Sequence, residues 1–136
     1  MSEFQQNYAH RHFYPDADAI SIPVILMSDS YTFIDVLGKL DTGSTFCIFE
    51  RHFADLLNIN LENAIETRIR TATGIFYAFG QEITLSVFDY EWTTTVYFAE
   101  NKSFGLNILG RIGFLDHLRI GLIDYEQMLY CGIYDE

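Results

Sequence analysis

The chain has 136 residues, 49% of them apolar and 16% aromatic, which is enough to bury one core and too little for two. Its formal charge of −11 argues against nucleic acid and against an anionic membrane surface as partners, because both recruit a basic face. No window reaches the roughly 18 consecutive apolar residues of a membrane span, and the opening Met1-Ser2-Glu3-Phe4-Gln5-Gln6 has no basic stretch followed by an apolar one, so a cytoplasmic location is the default expectation.

Residues 1–13 are polar and aromatic without a clear period and read as a loose arm, leaving 14–136 as a single domain. His10 and His12 fall on one side of an extended segment, but two imidazoles without a third ligand do not make a metal site. A strand is expected over 20–27, with Pro23 marking an edge or a strand start. Ser28, Asp29, Ser30 and Tyr31 make a turn, and the β-branched and large apolar run 33–40 makes the next strand. That strand ends in Asp41-Thr42-Gly43-Ser44, and a second apolar run, 45–49, follows at once. Turn residues between two core-forming runs put the acid on a buried or half-buried loop. Cys47 reads as a reduced, buried small hydrophobe, as does Cys131.

Beyond this loop the period changes. Phe49, Phe53, Leu56 and Leu57 fall at i, i+4, i+7 and i+8, one face of a short helix, with Asn58 as its stop. From Ile65 the period returns to two: Ile65, Thr67, Ile69 and Thr71 face one way, Glu66, Arg68 and Arg70 the other. A turn around Thr73-Gly74 leads to a return strand over 75–87, and a tight connection at Asp89-Tyr90 leads to a strand over 92–98. A loop (99–105), a short strand (106–109), a short helix (111–118) and two last strands (119–123 and 128–134) complete the chain. Many short strands with one or two short helices define a mainly β, barrel-like domain. The sequence has no CxxC pair, no Gly-rich phosphate loop and no GxSxG.

Asn107-Ile108-Leu109-Gly110-Arg111 is a second signature. Taken in order, Asp41-Thr42-Gly43-Ser44, a glycine-tipped hairpin around 72–75 and Ile108-Leu109-Gly110 resemble the retropepsin-like aspartic peptidases. These are the retroviral proteases and their single-lobe bacterial relatives, and the resemblance runs from about residue 20 to the C-terminus. It implies a closed β-barrel of the acid-protease type, no cofactor, and a peptide or protein substrate. Because the chemistry needs two carboxylates and the chain has one Asp-Thr-Gly, it also implies a homodimer in which two Asp41 side chains, one per subunit, activate a water. Thr42 would tie the two loops together through its hydroxyl, and Gly43 would offer the acid an amide that a Cβ would obstruct. Ser44 either donates to the outer carboxylate oxygen or satisfies its own turn backbone. The resemblance places a substrate-binding flap at Ala72, Thr73, Gly74 and Ile75. Apolar substrate groups would meet Phe76 and Ile108, two residues that core packing explains equally well. The apolar strand 128–134 would serve at the subunit interface.

Two positions depart from the family. Pepsin-like flaps carry a Tyr where this chain has Thr73, which points to the single-lobe, retroviral type. Retroviral proteases pair the Arg after their glycine with an Asp four residues beyond the catalytic one. That position here is Thr45, so Arg111 should turn to Asp116 or Asp124. A second class stays open beside the peptidase: a non-catalytic peptide-binding or scaffold module that keeps the fold.

Overall fold

The computed structural model describes residues 7–71 and 74–133. The strands in chain order are β1 (His10–Phe13), β2 (Ser21–Met27), β3 (Phe33–Leu40), β4 (Ile48–Phe49), β5 (Glu66–Thr71), β6 (Gly74–Val87), β7 (Tyr90–Ala99), β8 (Ile108–Leu109), β9 (Arg119–Ile123) and β10 (Met128–Gly132), with the helix α1 (Arg51–Leu56) between β4 and β5. Seven strands form one sheet in the order β2-β3-β8-β4-β7-β6-β5, and the other three form a second in the order β1-β10-β9. β2 pairs with β6 as well as with β3, over Ile25 to Met27, so the large sheet curls back on itself. Pro23 lies before that second pairing begins, where a missing N–H deprives only one neighbour. No helix among the described residues is long and apolar enough to cross a membrane.

Alternation along the strands builds the core. Ile22, Val24 and Leu26 of β2 and Val36 and Leu40 of β3 point inward to meet Ile83, Leu85 and Val87 of β6 and Val96 and Phe98 of β7. A smaller cluster of Ile48, Ile69, Ala78, Ala99, Phe104 and Ile108 lies where the β5–β6 hairpin joins the sheet. α1 buries Ala54, and Leu57 at its end is fully buried too. Asn58 then takes a left-handed φ of +58° while its amide donates to Asp55, so the helix stops where the sequence expects.

Two expectations are corrected. Residues 10–13 of the expected loose arm are the paired strand β1, whose His10 stacks on Phe88 at 5.4 Å and meets Tyr90 edge-on at 5.1 Å. His12 Nε2 lies 2.8 Å from the Ser21 carbonyl, so both imidazoles are engaged in seating the strand. The helix expected over 111–118 shrinks to a single 3-10 turn, Leu115–His117. Its backbone groups are taken by side chains: Asp116 accepts the Gly113 amide at 3.0 Å, and Trp92 Nε1 donates to the Gly113 carbonyl at 2.9 Å. Gly113 itself sits at φ +104°, outside helical geometry. The expected C-terminal strand is observed as β10, in the middle of the three-stranded sheet. β10 lies between β1 and β9 and uses both its edges within the chain, while residue 134 is outside the described residues.

At the foot of the β5–β6 hairpin, partial desolvation, a hydrogen bond with Glu100 and the Glu100 charge together raise the Glu66 carboxyl above its ordinary value. A carboxyl raised on folding makes the native state bind more protons than the unfolded one, so this contribution is favourable at low pH and is lost as pH rises through the folded value. Glu66→Gln removes the titration. The variant should therefore gain melting temperature relative to wild type at pH 7 and show a smaller difference at pH 4, as read by paired thermal scans.

Candidate active site

Asp41 follows directly on β3, and three bonds set its loop. Its amide donates to the Leu109 carbonyl at 3.0 Å, its carbonyl accepts from the Ser44 amide at 3.1 Å, and its Oδ1 accepts from the Gly43 amide at 2.9 Å. The side chain is half-buried, while Thr42 and Gly43 are exposed beside it. An acid anchored through its backbone to a central strand and through one oxygen to a loop amide keeps a defined direction. Among the described residues its second oxygen takes no hydrogen bond.

The partner of this loop is the Ile108-Leu109-Gly110 segment, which arrives from 63 positions downstream of Cys47. β8 pairs parallel with β3 through Lys39 with Ile108 and Leu40 with Leu109. Past it, the Arg111 amide donates to Ser44 at 2.9 Å, the Ile112 amide donates to Thr45 at 2.7 Å, and Phe46 bridges Ile112. Gly110 lies at the tightest point. A Cβ there would stand 2.2 Å from the Phe46 carbonyl oxygen and 2.7 Å from that of Ser44, both backbone atoms. Only a residue without a side chain lets the two segments close on each other.

Cys47 lies beneath the junction, and sequence reasoning read it as a buried hydrophobe alone. The Gly110 amide donates to its sulfur at 3.4 Å, and the thiol approaches the Ile112 carbonyl at 3.7 Å. Burial pushes the thiol up to about 12, so it stays protonated and serves as a small polar spacer rather than a nucleophile. Its place next to the loop was visible in sequence; its two polar contacts depend on a distant segment and were not.

Ser44 is fully buried and donates to the Phe46 carbonyl at 2.8 Å, the turn-satisfying alternative of the two that the sequence left open. Arg111 is exposed and makes no ion pair among the described residues. Neither expected partner reaches it: Asp116 is occupied by the Gly113 amide and lies 3.6 Å from His117 Nε2, and Asp124 accepts the Tyr14 hydroxyl at 2.6 Å. Tyr14 is pushed up to about 12 by that hydrogen bond and by burial. Thr42, Thr45, Arg111, Ile112, Leu115 and Asp116 surround an open hollow of about 510 Å³ beside the acid.

Of the flap residues, Ala72 and Thr73 lie outside the described residues. Gly74, opposite Thr71 in the register, has a φ of +141° and open space where a Cβ would be, and Ile75 is 46% exposed. Phe76 packs edge-on against Phe104 at 4.6 Å. Both rings, with Ile75 and Tyr77, face a second hollow of about 510 Å³ under the hairpin. Ile108 is fully enclosed in the small cluster on which Phe76 rests, so the two pocket candidates share one packing unit but only Phe76 reaches its surface.

The chain matches no protein-family model and no curated protein. Its structure is similar to that of EIAV protease complexed with the inhibitor HBY-793, with a TM-score of 0.53 and 21% identity, over 72% of this chain and 86% of that one. The fold is therefore retropepsin-like: a mainly β retroviral-protease fold with one short α-helix.

Gly110→Ala tests the junction. A Cβ forced against two backbone carbonyls should destabilise the fold by about 2 kcal/mol or more, and chemical denaturation should register it as a lower midpoint with an unchanged slope. Wild-type stability in the alanine variant would contradict the close approach.

Proposed function

We propose that this protein is a homodimeric aspartic endopeptidase whose two Asp41 carboxylates, one from each subunit, activate the water that attacks a peptide bond. The observation that carries the reading is the Asp41 loop itself. It is an acid at a strand end, steered by the Gly43 amide, with one oxygen open and with the Ile-Leu-Gly segment locked beneath it in a retropepsin-like fold. One ionised carboxylate takes the proton of the water while the other, protonated, polarises the carbonyl oxygen. Two acids brought this close cannot both ionise, so they share one proton and titrate as a pair. The exposed hairpin end at Gly74 and Ile75 would close over an extended peptide, and the hollow beside Phe76 would take an apolar side chain.

Asp41→Asn should fold normally and lose all turnover, because it keeps the shape and removes both base and acid. A diverse peptide library incubated at pH 4 to 7 and read by mass spectrometry compares it with wild type. Cleavage that persists in the variant would assign the activity to another group, and a folded dimeric wild type that cleaves nothing would favour the binding-module reading. Wild-type activity should trace a bell in pH, since only the singly protonated pair is competent.

Thr42 offers a second check. If its hydroxyl ties the two loops across the dimer, Thr42→Val should weaken dimerisation by about 1 kcal/mol while Thr42→Ser leaves it near wild type. Sedimentation equilibrium measures both, and equal dissociation constants would remove Thr42 from the interface.

A further inference from the structure

The hollow beside Asp41 holds a cation that the fold itself does not use. Arg111 is exposed there, and among the described residues its guanidinium takes part in no hydrogen bond or ion pair. The side-chain hydroxyls of Thr42 and Thr45, which line the same hollow, make no hydrogen bond among the described residues either. We infer that this hollow takes an acidic side chain of the bound peptide, with Arg111 holding its carboxylate. The inference rests on the peptidase reading only in taking the Asp41 face as the one that receives a peptide.

The backbone fixes the root of Arg111 relative to the acid. The Arg111 amide donates to the Ser44 carbonyl at 2.9 Å, directly past the close approach at Gly110, and the Ser44 amide donates to the Asp41 carbonyl at 3.1 Å. Two backbone bonds therefore connect the cation to the loop that carries the acid. The lining suits a carboxylate on a short apolar stem. A guanidinium offers a planar fork of N–H donors that matches both oxygens of a carboxylate, and two hydroxyls stand ready to donate beside it. Ile112, 48% exposed, and Leu115 give the methylenes of a glutamate something to cover. A glutamine has the same stem but no charge, and a lysine would be repelled by Arg111. The hollow under the hairpin, walled by the Phe76 and Phe104 rings, makes the opposite choice.

Two sources of negative charge act against an acidic guest. The first is the formal charge of −11, but charges more than about 8 Å from the contact are largely screened at physiological ionic strength. The second is Asp116, on the wall of the same hollow. Its Oδ1 accepts the Gly113 amide at 3.0 Å and lies 3.6 Å from His117 Nε2, so it is held to its own turn and makes no ion pair with Arg111. The cation is thus the uncommitted charge of the pair. In a symmetric dimer the hollow occurs twice, which places one acid-binding position on each side of the cleaved bond.

The full chain is assayed at about pH 6, where a peptide glutamate is ionised. The substrates are end-blocked peptide sets, free of terminal carboxylates, whose members differ only in carrying Glu, Gln or Lys at one position beside the cleaved bond. Wild type should cleave the Glu member of the best set with a kcat/KM about tenfold or more above the Gln member. That ratio should fall to near one in Arg111→Gln, stay above one in Arg111→Lys, and invert towards Lys in Arg111→Glu. Equal cleavage of Glu and Gln members at every position, or a wild-type preference for Lys, overturns the acidic site and spares the Asp41 reading. An Arg111→Gln variant that sedimentation equilibrium shows to be monomeric where wild type is dimeric assigns the guanidinium to the subunit contact, and also overturns the site. If wild type cleaves none of the peptides, fluorescence anisotropy reads their binding instead. A Glu preference that Arg111→Gln removes then keeps the site and overturns the peptidase reading alone, and the lack of any preference overturns both.

Discussion

Everything at the site depends on an absent side chain. Gly110 lets the backbone of 109–112 press against the carbonyls of Ser44 and Phe46, and from that contact come the bonds that orient Asp41, Ser44 and Thr45. The two segments are far apart in sequence, so closing them forfeits considerable chain entropy. That loss is offset by backbone hydrogen bonds, by the Cys47 sulfur between them and by the surrounding core, which includes the fully buried Phe49, Phe98 and Phe114. The acid's direction is thus a property of the whole fold and not of its tetrapeptide.

Among the described residues the packing differs between the two sides of the acid. Beneath the acid, Trp92 and Asp116 each take a backbone group of Gly113, and the Trp92 ring stacks on His117 at 4.8 Å. Toward the hairpin end the packing thins: Ile75 and Tyr77 are exposed, and Gly74 meets nothing where a side chain would be. A polar group that must keep its direction profits from the first environment.

Much of this was legible in the sequence wherever local pattern decides. The period of two located β5 and β7, a β-branched and apolar run located β3, the helical period together with Asn58 bounded α1, and the two glycine-containing signatures marked the segments that meet at the acid. The failures share one cause, contacts made by side chains far away in sequence. The 111–118 helix was lost to Trp92 and Asp116, which no local period reveals. β1 looked like an arm because its period is obscured by His10 and His12, whose partners are Phe88, Tyr90 and Ser21. Ser44 had two plausible partners in sequence, and its complete burial decided for Phe46. Arg111 was expected to find an acid, but the two acids proposed for it bond to Gly113 and Tyr14 instead.

The pairing of β1 with β10 joins His10 to Cys131, nearly the full span of the chain. During synthesis β1 has no partner until 128–132 have emerged, and β9 gains its only described neighbour at the same moment. Contacts of such high sequence separation are slow to form, so the three-stranded sheet is the part of the fold that a local pattern does least to assemble.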